Sequence, residues 1–162
     1  MAQLKTSLIA LGFKQVQTYI QSGNVIFKTA IRSSPEVSNR IEKKILIDFG
    51  LSITVFSRTA DEMAQAIKCN PFLKEKRIDP SKLHVTFLSQ VPVPSSLKKL
   101  APLALAGDEF RHSGREIYLH CPTGYGRTKL SNNALEKALS VRATTRNWKT
   151  VNQLCQIALG CR

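Results

Sequence analysis

The chain is poor in carboxylates: 11 Asp and Glu stand against 24 Lys and Arg, a formal net charge of +13. It has a single Trp and four cysteines, Cys69, Cys121, Cys155 and Cys161, with no Cys-x-x-Cys pair. That spacing excludes a thioredoxin-type redox motif and a zinc ribbon. His84, His112 and His120 add no metal-ligand spacing, so neither a metal nor a cofactor is expected. No apolar run approaches the roughly 20 residues that span a bilayer, and the N-terminus lacks a cleavable secretory signal. The expectation is a cytoplasmic protein with free thiols and no membrane association.

What is present is the balance of a globular domain, with 43% hydrophobic and 22% charged residues. At 162 residues it accommodates one domain or two small subdomains. The positive excess is uneven. Residues 1–81 hold 12 basic and 7 acidic side chains, residues 82–162 hold 12 and 4. Such an excess favours polyanions: nucleic acid or a phosphorylated small molecule. The bland alternative is a basic, soluble surface, since no Lys/Arg run exceeds two residues.

Hydrophobic spacing predicts a helix over Gln3–Leu11, stopped by Gly12. VQTYIQSGNVIF then alternates as a hairpin, turning at Ser22-Gly23. Ser34 caps a helix through Val37, Ile41, Ile45 and Phe49 to Gly50, and Leu51–Phe56 reads as a strand. Thr59 and Glu62 form a capping box for a helix to about Lys68. The proline-bearing stretch 70–81 reads as a linker between a first subdomain, 1–69, and a second, 82–162. In the second, Leu83–Leu88 is a strand and Ser95 to Leu105 a helix. Glu109–His112 and Glu116–Cys121 form a hairpin, and a helix runs from about Thr128 to Leu139. A short extended piece follows near Val141–Thr144, then a last helix from its cap, Asn147. The order is strand, helix, strand, strand, helix, strand. The first half has the same order without its first strand, so the expected fold is α+β with duplicated ferredoxin-like (βαββαβ) subdomains and an extra C-terminal helix.

The segments TYIQSGNVIF, NPF, KLHVTFL, PTGYGRTKL and TTRNWKTVNQL occur in this order. Together they resemble the bacterial family known as domain of unknown function 1697. The resemblance implies two related ferredoxin-like subdomains and assigns no activity. It also implies a strand and a Gly-containing loop ahead of the first helix. Without them neighbouring strands would be left unpaired, and a truncated, nonfunctional copy is one reading of the chain. Cys121 is a second departure, since that position is commonly apolar or aromatic in the family.

Two segments carry possible chemistry. In YLHCPTGYGRTKL, Cys121, Arg127 and Thr128 have the spacing of a cysteine-dependent phosphatase: nucleophile, oxyanion clamp and leaving-group helper. Against this, Pro122 removes a backbone donor, and no aspartate stands in a general-acid loop. The preferred reading is a loop of Gly124, Gly126, Arg127 and Lys129 that offers N–H groups and cations to an anion at a helix start. The rival is a tight turn needing glycine only for its geometry. In TTRNWKT, Arg146, Asn147, Trp148 and Lys149 gather cations, an amide and a ring. Exposed, they suit a phosphate and a base; buried, Trp148 is core and Asn147 a helix cap. Tyr19, Gln21, Ser22 and Asn24 on the first hairpin either line a cleft or serve the turn.

Overall fold

The computed structural model describes residues 2–20 and 23–160. They divide into two compact units, one made of the chain up to Met63 together with the residues from Gln153, the other Ala64–Asn152. The stretch 70–81, read from the sequence as a linker, falls inside the second unit.

The first unit opens with helix α1, Ala2–Ala10, then strands β1, Lys14–Tyr19, and β2, Asn24–Lys28, paired antiparallel as a two-stranded sheet. Helix α2, Ser34–Phe49, follows. Its cap is Ser33, one residue before the expected Ser34: the Ser33 hydroxyl accepts the Glu36 N–H at 3.4 Å, while Ser34 donates to Glu62 Oε2. Gly50 ends it at φ 66°, its N–H reaching Leu46 O, a left-handed position that suits glycine. The i, i+4 series Val37, Ile41, Ile45 buries one face against Leu8, Phe13 and Val16, and Phe13 stacks on Phe27 at 4.4 Å. Helix α3, Ala60–Lys68, starts at the expected capping box: Thr59 Oγ1 accepts the Glu62 N–H, and Glu62 Oε2 the Thr59 N–H.

Leu51–Phe56 is not a strand. The Val55 N–H donates to Glu42 Oε1 at 2.7 Å and the Ser57 N–H to Ser38 Oγ at 3.2 Å. Side chains of α2 take the donors that a neighbouring strand would otherwise hold.

The second unit is a four-stranded antiparallel sheet in the order β4-β5-β3-β6. Its strands are β3, Leu83–Leu88; β4, Glu109–Ser113; β5, Glu116–His120; and β6, Ala143–Asn147. The central strands β3 and β5 are covered on both faces, and the edges β4 and β6 are mostly half-exposed. On one face Leu88, Ile117 and Leu119 pack with Leu135 and Leu139 of helix α5, Asn132–Leu139. On the other, the Tyr118 hydroxyl donates to Ala66 O at 2.7 Å, and Phe72, 1% exposed, lies with its ring under the Arg111 guanidinium. The expected helix 95–105 shortens to α4, Pro94–Leu97, and continues as a 3-10 turn over Lys98–Leu103, where Pro102 removes an α-helical donor. Helix α6, Trp148–Gly160, follows β6 without a loop, and the Asn147 side chain accepts the Thr150 N–H at 2.8 Å as its cap.

Candidate functional site

Cys121 follows β5 on the core side of the sheet and is completely buried. Burial pushes its thiol up to about 11, and the Asp108 carboxylate pushes the same way against a smaller, opposing influence of the Thr128 hydroxyl. A nucleophilic cysteine needs the opposite, an accessible sulfur with a depressed pKa. The Thr128 hydroxyl, cast as a helper for a departing thiolate, donates to Asp108 Oδ2 at 2.5 Å and accepts the Leu130 N–H at 3.1 Å. The phosphatase spacing is matched in sequence and its chemistry is not.

The proposed N–H cradle is also altered. Gly124 N–H donates to Cys121 O and closes the turn before it, while Arg127 N–H to Gly124 O and Thr128 N–H to Tyr125 O close a 3-10 turn over Tyr125–Arg127. Helix α5 begins later than expected, at Asn132, and Ser131 caps it by accepting the Ala134 N–H. The loop therefore holds no helix start beneath Arg127. What it presents outward is side chains. Arg127 and Lys129 are exposed, and neither side chain has a hydrogen bond or ion pair with a described residue.

The register of β3 brings this loop together with the second candidate segment. His84 pairs with Leu119 of β5 on one side and with Asn147 of β6 on the other. The Tyr125 ring stacks on the His84 imidazole at 4.8 Å with an interplanar angle of 26°. One step along, Thr145 donates to Asn132 Oδ1 at 2.7 Å, which leaves Thr86 as the donor in the 2.7 Å contact between the two threonine hydroxyls. Tyr125, His84 and Asn147 thus share one end of one sheet, with the first residue of α5 bonded to Thr145 nearer its middle. Lys149 is exposed in the first turn of α6, and Trp148 is half-buried. His84 Nδ1 and the Tyr125 hydroxyl are shielded from solvent and have no hydrogen-bond partner among the described residues. Burial lowers the His84 pKa, favouring the neutral ring.

Arg146 does not join this group. Side chains alternate along β6, and Arg146 turns to the face of Thr144, donating to Thr144 Oγ1 at 2.8 Å and to Thr145 O at 2.9 Å. On the first hairpin, Asn24 is buried and its amide donates to Tyr19 O at 3.3 Å, closing the turn. Gln21 and Ser22 lie outside the described residues.

Sequence reasoning missed a charge network on the Phe72 face of the sheet. Cross-strand pairing sets Glu109 against His120, with Glu109 Oε1 3.5 Å from His120 Nδ1. Arg77 donates to both Glu75, at 2.6 Å, and Glu109, at 3.0 Å, while Arg111 donates to Glu109 at 3.3 Å. The signal was the alternation Glu109/Arg111 on one strand and Tyr118/His120 on the next. Among the described residues no group of three His, Cys, Asp or Glu is placed to hold a metal ion. No helix among them is long and apolar enough to cross a membrane.

The architecture is that of a mixed α+β protein with two sheets and six α-helices among the described residues. The chain belongs to the family described as protein of unknown function DUF1697, which it matches over residues 1–118. The loop after β5 and the β6–α6 segment lie beyond that match. No curated protein matches the sequence. In fold it is similar to a conserved bacterial protein from Streptococcus pneumoniae, with a TM-score of 0.71 at 17% identity over 98% of this chain and 88% of that one.

Proposed function

We propose that the second unit binds a phosphate-bearing partner at the sheet end where His84, Tyr125 and Asn147 meet, through side-chain cations and not through a backbone cradle. The observation that carries this reading is the group Arg127, Lys129 and Lys149. All three are exposed, with side chains that make no ion pair or hydrogen bond to a described residue, on two segments that β3 joins. Elsewhere several cations are already matched: Arg40 with Glu36, Lys44 with Asp48, and Arg77 with Glu75 and Glu109. Cations that interact as point charges give affinity that falls steeply with salt. Calorimetric titration with inorganic polyphosphate tests this at low and physiological salt. Binding should weaken steeply with salt and drop in an Arg127→Ala, Lys129→Ala, Lys149→Ala triple variant, while Cys121→Ala leaves it unchanged. Salt-independent binding, or binding indifferent to the triple variant, would sink the reading.

The same proposal extends to the fold. The second unit runs strand, helix, strand, strand, helix, strand with the sheet order β4-β5-β3-β6, which supports a ferredoxin-like unit. The first unit has the matching succession α1, β1, β2, α2, followed by an irregular 51–56 in place of a strand, which supports a duplicated origin.

A further inference from the structure

The geometry points to single-stranded nucleic acid as the phosphate-bearing partner, with the Tyr125 ring as the platform on which an unpaired base stacks; this inference rests on the anion-binding reading above. A bare phosphate needs only charge or N–H donors. The sheet end offers more than that.

Tyr125 stands between Gly124 and Gly126, and at neither glycine would an added Cβ meet an atom within 4 Å. The turn thus lifts an aromatic ring from an uncrowded backbone. One neighbour of that ring is the His84 imidazole at 4.8 Å, which holds the ring in a fixed plane. Tyr125 packs against the core cluster that includes Leu130 and Leu135 and is half-buried as a whole. A ring held from beneath and partly open is the arrangement that stacks a base, because every base has a π-face whatever its identity.

The His84 Nδ1 and Tyr125 hydroxyl atoms are shielded from solvent, so a stacked base meets the exposed part of the ring and not these atoms. Arg127 and Lys129 follow Tyr125 by two and four residues, and Lys149 lies two residues past Asn147, the β6 partner of His84. Three cations on two segments near a stacking ring suit successive phosphates of a strand better than the single phosphate of a free nucleotide. A duplex is a poor fit, because its base faces are already stacked.

The test is fluorescence anisotropy of the whole chain with a labelled oligouridylate at low salt. The competitors are an unlabelled single strand, a duplex of the same length, inorganic polyphosphate of the same phosphate number, and uridine monophosphate. The single strand should compete about tenfold better than duplex or polyphosphate, the range expected for one stacked base. Tyr125→Ala should remove that advantage and leave polyphosphate affinity unaltered, whereas Tyr125→Phe keeps most of it. If Tyr125→Ala does not fold, as judged by a melt, Tyr125→Leu replaces it. Equal competition by polyphosphate, with Tyr125→Leu or Tyr125→Ala indifferent, overturns the base platform while leaving the anion site standing. Uridine monophosphate competing as well as the strand overturns the strand in favour of a free nucleotide. No binding of either strand or polyphosphate removes both readings together.

Discussion

The Thr128 hydroxyl donates to Asp108 Oδ2 across twenty residues of chain, at 2.5 Å, and fixes the loop after β5 against a buried carboxylate. Asp108 Oδ1 has no hydrogen-bond partner among the described residues, so this one hydrogen bond is the main compensation for burying the group. Thr128→Val keeps the shape and removes the donor. It should destabilise the protein by about 1–3 kcal/mol, read as a lower denaturant midpoint at unchanged slope. A neutral Thr128→Val would show that Asp108 is satisfied by other means.

Cys121 should behave as an inert core residue. With its thiol pushed up to about 11 and its side chain buried, alkylation at neutral pH should leave it unmodified in the native protein and label it after unfolding. Mass mapping of alkylated peptides distinguishes it from the more accessible Cys69. Fast native labelling at Cys121 would restore the nucleophile reading that its burial removes.

Glu109 gives the charge network a pH signature. Burial works to raise its pKa, but hydrogen bonds from Arg77 and Arg111, the Arg77 charge and the nearby His120 outweigh that, so the net shift is downward. A carboxylate with a depressed folded pKa adds stability above its ordinary range near 4.5, and that stability is lost as pH falls through the folded value. Glu109→Gln should therefore cost about 1 kcal/mol at neutral pH, with the difference from the parent chain vanishing in acid. Urea midpoints measured down the pH scale check the sign; a gap that widens in acid would contradict it.

The two glycines flanking Tyr125 should respond differently. Gly124 has φ 97° and ψ 145°, a region open to glycine and strained for other residues. Gly126 has no positive φ and open space around it. Gly124→Ala should lower stability by about 1–3 kcal/mol, and Gly126→Ala by much less. Thermal melts of the two variants, side by side, decide it.

Much of the fold was legible because local signals and packing agree. The caps at Thr59 and Asn147, the stop at Gly50 and the 109–120 hairpin are statements about nearby residues, and the structure keeps them. Leu51–Phe56 failed because strand propensity is only half of a strand. The Val55 amide and that of Ser57 just beyond the segment meet Glu42 and Ser38 instead of a neighbouring ladder, and sequence pattern does not reveal which acceptor wins. Phe72 was hidden for a similar reason: a proline-rich stretch looks like linker until its one aromatic residue is seen filling a sheet face.

The candidate site was legible in its parts and not in its assembly. The two basic segments were visible as motifs, but their meeting depends on β3 lying between β5 and β6, with His84 at the common register position. The same register turns Arg146 away from Asn147, so a cation that looked central in the sequence lies on the opposite face. The loop glycines suggested a cradle because composition does not show where N–H groups point; here three of them close turns within the loop itself.

The direct junction of β6 and α6 sets Trp148 immediately after Asn147, and it is the one tryptophan in the chain. Indole emission from this protein is consequently a single-site optical signal, arising one residue from the strand end where His84 and Tyr125 stack. Ligand titrations, pH titrations and stopped-flow mixing can all be followed on the native chain, without a dye or a second fluorophore to deconvolute.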